Sequence, residues 1–425
     1  MATTAELSPA EIPDHVPPER VFKGDFEAFA TATGDPFRRL GELHDGPDII
    51  WVKKFAKGLG GGTAGWLLTR YDLVREVLSD TDNFMSGGGE PMMSTIGLDF
   101  PLIPIELNPP QQQRYRKVLE PFFAPACINR LEDSVRRTCE NLVAGFEHSD
   151  SCEFIGEFAE KFPSQIFLDL MGMPKERLHD FLAWERGMLR GETPEMVVEA
   201  MTAILDYLRE FLSEQRRDPK SPLMQGIVSA RLDGETPLTD DEMLGIAYLL
   251  YIGGLDTVYS TIGWIFWHLA QDQPLQDRLR EDPGEIIRAT EELLRAFSAA
   301  STGRRARHDM EFHGVKMRKG DNVTALLSLA SRDPNAFQDP HTVNIDRDII
   351  RHVAFGTGPH TCLGLRLAKR EIKVVLETFL SRFRNICMPA GESHEYHVGS
   401  VFGIDRLPLK WDLVEKIMVS RQGSE

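Results

Sequence analysis

The sequence predicts a mainly α-helical chain with small β-sheets, an α+β class, folded as one large domain. Apolar residues at helical spacing run through residues 131–217, and a mostly apolar run fills residues 239–272. Strand-like pieces are short and occur near residue 50 and at residues 396–411. No low-complexity linker or charge block divides the chain after its first twenty residues. We therefore predict an extended N-terminal arm at residues 1–20 and a single domain at residues 21–425.

Composition narrows the class of protein. A hydrophobic content of 42% over 425 residues supplies a large core. The formal charge of −17 argues against a nucleic-acid partner, which requires basic patches. Five irregularly spaced cysteines indicate neither a disulfide framework nor a zinc site. The polar N-terminal arm has no apolar run of membrane-anchor length. A cytoplasmic, monomeric protein with no membrane partner is expected.

The first quarter of the chain predicts a small sheet followed by an unusual loop. Strand-like pieces at residues 49–52 and 65–69 show period-two apolar positions and flanking glycines. Residues 85–110 are apolar, glycine-rich and irregular, and such loops are uncommon unless they are functional. A proline-started helix follows, with basic residues including Arg116 in its first turns. Basic side chains gain nothing from the dipole there, so another anion is a reasonable partner.

The apolar run at residues 239–272 predicts the longest helix. Thr239 and Glu242 form a capping box at its start. Its length and hydrophobicity would suit a membrane span, but Asp256 lies at its centre, and a carboxylate in lipid is costly. A buried central helix is therefore predicted.

Residues 355–364 have the sequence FGTGPHTCLG and precede the helix-forming residues 365–380. The three glycines of this stretch allow a tight loop beneath something flat. Cys362 then lies at a helix start, where free N–H groups and the helix dipole favour a thiolate. These residues alone leave three roles open for Cys362: a nucleophile with His360 as its base, a redox thiol, or an axial metal ligand.

An aromatic residue followed by Gly-x-Gly-x-His-x-Cys-x-Gly resembles the haem-binding signature of the cytochrome P-450 superfamily, here of the soluble bacterial type. The resemblance implies that superfamily's fold, with haem b between the long central distal helix and the helix after the cysteine loop. It also implies that Cys362 is the axial ligand of the haem iron. The other haem-contacting residues that it implies are Phe355, Gly356 and Gly364 in the loop, and Arg116, Arg304 and His360 at the propionates.

The centre of the long helix resembles the distal oxygen-activation motif of the same superfamily. Small residues beside Asp256 leave space for dioxygen, while a carboxylate and the hydroxyl of Thr257 can hydrogen-bond it and pass protons to it. The resemblance implies that Asp256 gates proton delivery and that Thr257 stabilises the bound oxygen.

A third motif resembles the superfamily's Glu-x-x-Arg pair. Glu292 and Arg295 lie at i and i+3 on one helical face. Arg347 is the expected third member of this group. We assign the three residues to folding and haem retention, and not to chemistry.

Residues 253–258, 291–295, 297–298, 312–315, 319–321 and 407–409 resemble the bacterial camphor 5-monooxygenase family. The resemblance implies electrons from NAD(P)H, passed through an FAD-containing reductase and a [2Fe-2S] ferredoxin that docks on the proximal face. The basic residues that could recruit an acidic ferredoxin are Arg114, Arg116, Lys117, Arg366, Lys369, Arg370 and Lys373. Solvated helix charges are the alternative.

One departure from that family bears on the substrate. Aligned without gaps across residues 103–110, the family's pocket tyrosine falls at Phe100 and its pocket threonine at Ile105. The pocket therefore loses a polar anchor, which lowers discrimination based on a hydrogen bond. The remaining predicted wall residues are Leu249, Ile252, Gly253, Ala299, Ala300 and Val401, with Phe402 beside Val401. We predict hydroxylation of an unactivated C–H bond in a terpenoid or norisoprenoid larger than camphor, with ionone-like compounds favoured.

Other functions stay open at this point. Camphor itself, or another monoterpenoid such as cineole, is the alternative substrate. A peroxide-driven peroxygenase would use the same cysteine ligand but usually lacks an acid-threonine pair, so Asp256 and Thr257 argue against it. A haem-binding sensor or carrier would not need a proton relay. A thiol enzyme with Cys362 as nucleophile would bind no haem.

Overall fold

A computed structural model describes residues 12–55, 62–89, 91–146, 148–348 and 350–414 of the protein. Most of the regular structure in these ranges is helical, which confirms the predicted class. The α-helices are α1 (Phe26–Ala30), α2 (Pro36–Gly41), α3 (Tyr71–Ser79), α4 (Gln111–Leu119), α5 (Pro125–Ala144), α6 (Lys161–Met171), α7 (Leu178–Arg190), α8 (Pro194–Arg217), α9 (Pro222–Val228), α10 (Asp240–Leu269), α11 (Gln273–Glu281), α12 (Ile286–Ala296), α13 (Leu327–Ala330) and α14 (Leu365–Arg382).

The strands are short and form small sheets. They are β1 (Ile49–Val52), β2 (Gly65–Leu68), β3 (Phe84–Met85), β4 (Ser151–Glu153), β5 (Arg231–Leu232), β6 (Thr236–Pro237), β7 (Ser301–Ala306), β8 (Met310–Phe312), β9 (Val315–Met317), β10 (Asn322–Leu326), β11 (Phe383–Cys387), β12 (Glu395–His397), β13 (Gly403–Arg406) and β14 (Pro408–Leu413). The largest sheet has the order β1-β2-β10-β7-β3, and a three-stranded sheet has the order β11-β14-β4.

The predicted strand pair near the N-terminus is present. β1 and β2 run antiparallel, with Trp51 opposite Trp66, and β10 joins β2 in parallel. The described part of the predicted arm packs on this sheet: Val16 is buried, and His15 Nε2 lies 2.8 Å from Asp321 Oδ2. A 3₁₀ helix at Pro18–Arg20 interrupts it, so this part is not extended throughout. Residues 1–11 of the predicted arm lie outside the described residues.

α10 is the central helix that the apolar run predicts. The Thr239 hydroxyl accepts a hydrogen bond from Glu242 N at 3.2 Å, and Glu242 Oε2 accepts one from Thr239 N at 2.7 Å, which completes the capping box. Tyr115 on α4 donates to Glu242 Oε1 at 2.5 Å. By length and composition α10 could cross a membrane, but 61% of its most apolar window is buried inside the protein. α10 is therefore a buried core helix, as predicted from the position of Asp256 at its centre.

The long apolar loop packs on the first half of α10. A 3₁₀ helix at Met92–Ile96 is its main regular element. The amide of Ile103 donates to Gly245 O at 3.3 Å. A Cβ on Gly245 would lie 2.4 Å from Pro101 O, so the absence of a side chain lets the loop approach the helix this closely.

Candidate active site

The cysteine loop is shaped by glycine. Gly356 has φ +67° and Gly358 has φ +73°, a region that favours glycine. A Cβ on Gly358 would lie 2.6 Å from Leu78 O, whereas one on Gly356 would meet no atom within 4 Å. The amide of Cys362 donates to Phe355 O at 3.0 Å, which closes the loop just before α14. The loop is therefore tight on one side and open on the other.

Two opposing effects act on the Cys362 thiol. Burial raises its pKa, while the amides of Gly364 and Leu365 and the charge of Arg116 favour the thiolate. Its side chain nevertheless keeps accessible surface. Within the described residues no hydrogen bond joins it to His360, and the base required by a thiol enzyme is therefore not engaged. The remaining accessible thiol suits an axial metal ligand.

Three of the predicted site residues, the cations Arg304 and Arg116 and the imidazole of His360, lie near one another. Burial lowers the pKa of Arg304 to about 10. Burial also lowers the pKa of His360 to about 4, with further contributions from the charges of Arg304 and Arg116. Arg116 donates to Thr361 O at 2.8 Å and pairs with Glu120 at 3.0 Å. The family resemblance implies that these three side chains share one site, and in the structure they lie close enough to affect one another's charge.

Arg304 lacks the partner that a buried cation requires. It is 8% exposed, and among the described residues its side chain hydrogen-bonds only Gly303 O at 2.8 Å and Leu78 O at 3.5 Å. No carboxylate pairs with it anywhere in the described ranges. An unpaired buried charge is costly, so an anionic group that binds here would be strongly favoured.

α10 is open at one point. Gly253 is exposed in the middle of this otherwise buried helix, and a Cβ there would meet no atom within 4 Å. Its neighbour Gly254 is different, because a Cβ there would lie 2.2 Å from Phe167 on α6. The one glycine leaves space beside the helix, and the other allows α6 to pack closely.

Asp256 and Thr257 lie one turn beyond this opening. Asp256 is 2% exposed, and its Oδ1 accepts hydrogen bonds from Arg190 Nη2 at 2.8 Å and Ser260 Oγ at 3.2 Å. Thr257 is half-buried, and its hydroxyl makes no hydrogen bond to any described residue. The carboxylate is therefore anchored within the protein, while the hydroxyl is available to a ligand.

Arg190 is a site residue that the sequence analysis missed. It lies at the end of α7 and also bonds Tyr259 OH at 2.8 Å and Asp405 Oδ1 at 3.0 Å. A surface crevice of about 710 Å³ is lined by Arg190, Tyr259 and Asp405, among others. The partner of Asp256 thus lies between the interior and solvent. Nothing in the local sequence of α7 distinguishes Arg190 from an ordinary surface arginine.

A second buried acid lies beside this network. Glu185 on α7 is 2% exposed, and its Oε1 has no hydrogen-bond partner within the described part of the chain. Burial raises its pKa well above the usual value, and the charge of Asp256 raises it further. Its surroundings therefore favour the protonated form of the carboxyl.

The predicted wall residues differ in how much surface they offer a ligand. Phe100 is 6% exposed and belongs to the apolar cluster between the loop and α10, while Ile105 is 46% exposed and stands outside that cluster. Ala299 is 3% exposed. The half-buried wall residues are Leu249, Ile252, Ala300 and Val401, of which Ala300 and Val401 face each other across a β-bridge.

Phe402 corrects one expectation. It is 1% exposed, and its ring centroid lies 6.1 Å from that of Phe37 in the main core. Consecutive residues of an extended segment point to opposite faces, so Val401 and Phe402 cannot both face one pocket.

The Glu-x-x-Arg group is present as an ion-pair network. Glu292 bonds Arg295 twice at 2.8 Å, and its Oε1 accepts from Arg347 Nε at 3.0 Å. Glu292 and Arg295 are fully buried. Arg295 also donates to the carbonyls of Ser331, Pro340 and Thr342, so it ties α12 to the segment that leads to the cysteine loop.

The basic residues around the cysteine loop are mostly paired. Arg114, Arg116, Lys369, Arg370 and Lys373 pair with Asp233, Glu120, Glu291, Glu132 and Glu377, respectively. Lys117 and Arg366 are exposed and have no carboxylate partner among the residues that the structure describes. Only these two of the seven candidates are unpaired.

These residues fit a haem. The accessible Cys362 thiol can bind iron, the open faces of Gly356 and Gly253 leave room for a flat group, and the unpaired Arg304 suits a propionate.

Gln112 on α4 is a further residue near the cysteine loop that the sequence did not predict. It is fully buried, and its side-chain amide donates to Pro359 O at 2.7 Å, which fixes α4 against the loop.

Comparison with known proteins agrees with this fit. A family model described as cytochrome P450 matches residues 166–412. The chain is 35% identical to the probable cytochrome P450 127A1 of Sinorhizobium fredii, over 94% of this chain and 97% of that protein. It is 28% identical to the steroid C26-monooxygenase of Mycolicibacterium smegmatis, over 91% of this chain and 92% of that protein.

Solved structures extend the likeness to the fold. CYP101J2 superposes with a TM-score of 0.83 at 29% identity, covering 95% of this chain and 100% of its own. Cytochrome P450 CYP101C1 gives a TM-score of 0.82 at 30% identity, with the same coverage. The chain therefore belongs to the cytochrome P450 family of haem-dependent monooxygenases.

Proposed function

We propose that this monooxygenase hydroxylates an unactivated C–H bond of a small apolar terpenoid or norisoprenoid, with ionone-like compounds favoured over camphor. Phe100 carries this proposal. It is buried in the apolar cluster beside α10 and has no hydroxyl to offer a ketone. Ala300 and Val401 contribute further apolar surface without a hydrogen-bond donor on either side chain. Such a pocket selects by shape and apolar area rather than by a polar anchor.

In this proposal the residues of the two motifs have separate tasks. Cys362 would bind the haem iron, and Arg304, His360 and Arg116 would hold the propionates. A bound haem supplies dioxygen binding and the chemistry of oxygen insertion, with electron density from the thiolate favouring O–O cleavage. Thr257 would hold dioxygen by its hydroxyl, which makes no hydrogen bond to the described residues. Asp256 would deliver protons to the same place.

We place the proton supply on the Arg190 side of α10. Asp256 is buried, so a proton that it delivers must be replaced through its partners. Arg190 holds its carboxylate at 2.8 Å and lines the surface crevice. In this proposal, opening of the Arg190–Asp256 ion pair would let the carboxylate take up a proton from that side of the helix. Asp256→Asn should therefore lower kcat by roughly 100-fold or more, with ligand binding unchanged.

The electron donor in this proposal is a [2Fe-2S] ferredoxin, reduced from NAD(P)H by an FAD-containing reductase. Lys117 and Arg366 support it, because they flank the cysteine loop and are free to meet acidic side chains. We also propose that the enzyme is a monomer and that it is located in the cytoplasm.

An optical titration of the ferric protein with β-ionone, cineole and camphor tests the substrate class. Loss of iron-bound water on ligand entry shifts the Soret band. A strong shift with β-ionone and a weak one with camphor, followed by detection of hydroxylated ionone, is the expected result. The largest shift with camphor would contradict the role given to Phe100, and protein without a haem band would contradict the cofactor.

A further inference from the structure

The long loop between α3 and α4 is closed at its base by one side chain. Asn108 Oδ1 accepts a hydrogen bond from Ser86 N at 2.9 Å, and Asn108 Nδ2 donates to Ser86 O at 2.8 Å. Gly87, at φ +65°, lies against this base, and a Cβ there would be 2.6 Å from Glu106 O. Asn108 therefore holds the two ends of this loop together.

Glu106 reaches from that base into the loop. Its Oε1 accepts a hydrogen bond from Met92 N at 2.9 Å, and its Oε2 accepts one from Leu102 N at 2.6 Å. Met92 begins the 3₁₀ helix of the loop, and Leu102 belongs to the segment that packs on α10. One carboxylate thus joins the two halves of the loop by bonds to a charged acceptor, which are stronger than neutral ones.

Both halves carry apolar side chains that point inward. Met93, next to one bonded amide, is fully buried. Phe100 and Leu102 are 6% and 4% exposed, and the amide of Ile103 donates to Gly245 O on α10. The bond to Leu102 N therefore fixes the backbone that positions Phe100.

We propose that Glu106 is the clamp that holds residues 91–103 over the distal pocket and sets the rate at which substrate leaves. The inference rests on the proposed function, since it requires the substrate to lie beneath this loop. Glu106 is a positioning residue. It acts through the backbone at Met92 and Leu102, and no role at the reacting atoms is assigned to it.

Hydrogen exchange tests the clamp directly in the haem-loaded, ligand-free protein. Glu106→Gln keeps the side-chain size but offers one acceptor and a donor, so one of the two amides loses its partner. Exchange at Met92 N or Leu102 N should accelerate roughly tenfold or more. Asp99→Asn is the matched control, because Asp99 is an exposed acid of the same loop with no hydrogen bond or ion pair to the described residues. It should leave both rates unchanged.

Ligand release tests the consequence. After a titration identifies the compound that shifts the Soret band most, stopped-flow displacement should give a dissociation rate roughly tenfold higher in Glu106→Gln. The band shift at saturation should be preserved, since the pocket walls are intact. Glu106→Asp, one methylene too short to span both amides, provides the same test if the glutamine variant does not fold.

The outcomes separate the clamp from the proposed function. Unchanged exchange at both amides overturns the clamp. Faster exchange with an unchanged dissociation rate overturns its control of release. If no compound shifts the Soret band, the proposed function fails and control of release fails with it, while the exchange rates still decide whether Glu106 holds the loop.

Discussion

Arg304 is a buried cation that, among the described residues, hydrogen-bonds only carbonyl oxygens. Its replacement should therefore change the stability of the apoprotein and the retention of haem in opposite directions. Arg304→Met removes an unpaired buried charge, and urea unfolding of the apoprotein should show equal or greater stability. The same change removes charge-assisted bonds to a propionate. Haem transfer to apomyoglobin should therefore be roughly tenfold to a hundredfold faster.

Arg305 provides the control, because neighbouring strand residues face opposite sides of β7 and Arg305 is only half-buried. Arg305→Met should change neither measurement appreciably. A destabilised apoprotein together with unchanged haem transfer in Arg304→Met would assign Arg304 to the fold and not to the cofactor.

Glu185 predicts a pH dependence of stability. Burial raises its pKa in the folded protein, so the unfolded chain releases this proton first as pH rises. Its stability contribution is therefore complete below the ordinary carboxyl pKa, about 4.5, and is lost as pH rises toward the folded value. Within that window, each rise of one pH unit lowers the free energy of unfolding by about 1.4 kcal/mol. Glu185→Gln removes the titration, so the variant should be more stable than the parent at pH 7 but not at pH 4. Urea unfolding at the two values decides this, and an equal difference at both would contradict it.

At the scale of the helix, the two adjacent glycines of α10 should respond oppositely to alanine. A Cβ at Gly253 meets no atom within 4 Å, so Gly253→Ala should raise the free energy of unfolding by about 0.5–1 kcal/mol. A Cβ at Gly254 would lie 2.2 Å from Phe167, and Gly254→Ala should lower it by about 1–3 kcal/mol. Chemical denaturation of the two apoprotein variants serves as a matched pair. Destabilisation by both changes would mean that no open space lies beside Gly253.

The elements that sequence reasoning predicted are those with local signals. The capping box and the apolar run predicted both ends of α10 to within a few residues. The glycines of the cysteine loop predicted its tight turn. Arg190 was missed, because its bond to Asp256 exists only through the packing of α7 on α10. The bonds of Glu106 were missed for a similar reason. A loop sequence shows that it is apolar, but not which amides one carboxylate can reach.

The distribution of charge over the whole molecule bears on the proposed docking of an acidic ferredoxin. The formal charge is −17, and most cations near the cysteine loop are neutralised by their own acidic neighbours. What matters for an encounter is the charge left unpaired on one face. Of the seven basic residues considered, Lys117 on α4 and Arg366 on α14 are the exposed ones without a carboxylate partner among the described residues. Gln112 and Arg116 tie α4 to the cysteine loop, and α14 follows that loop directly, so both cations lie on elements joined to it.

This arrangement predicts a selective effect on electron transfer. Replacing both Lys117 and Arg366 by Gln should lower the second-order rate constant for reduction by an acidic [2Fe-2S] ferredoxin roughly tenfold at low ionic strength. The difference should shrink as salt screens the encounter. Lys316→Gln, a change of an exposed lysine on the β8-β9 hairpin, controls for charge alone and should leave the rate unchanged. Stopped-flow reduction under carbon monoxide measures all three proteins. Equal rates in the double variant and the parent would mean that the ferredoxin docks elsewhere, or that the electron donor is of another class.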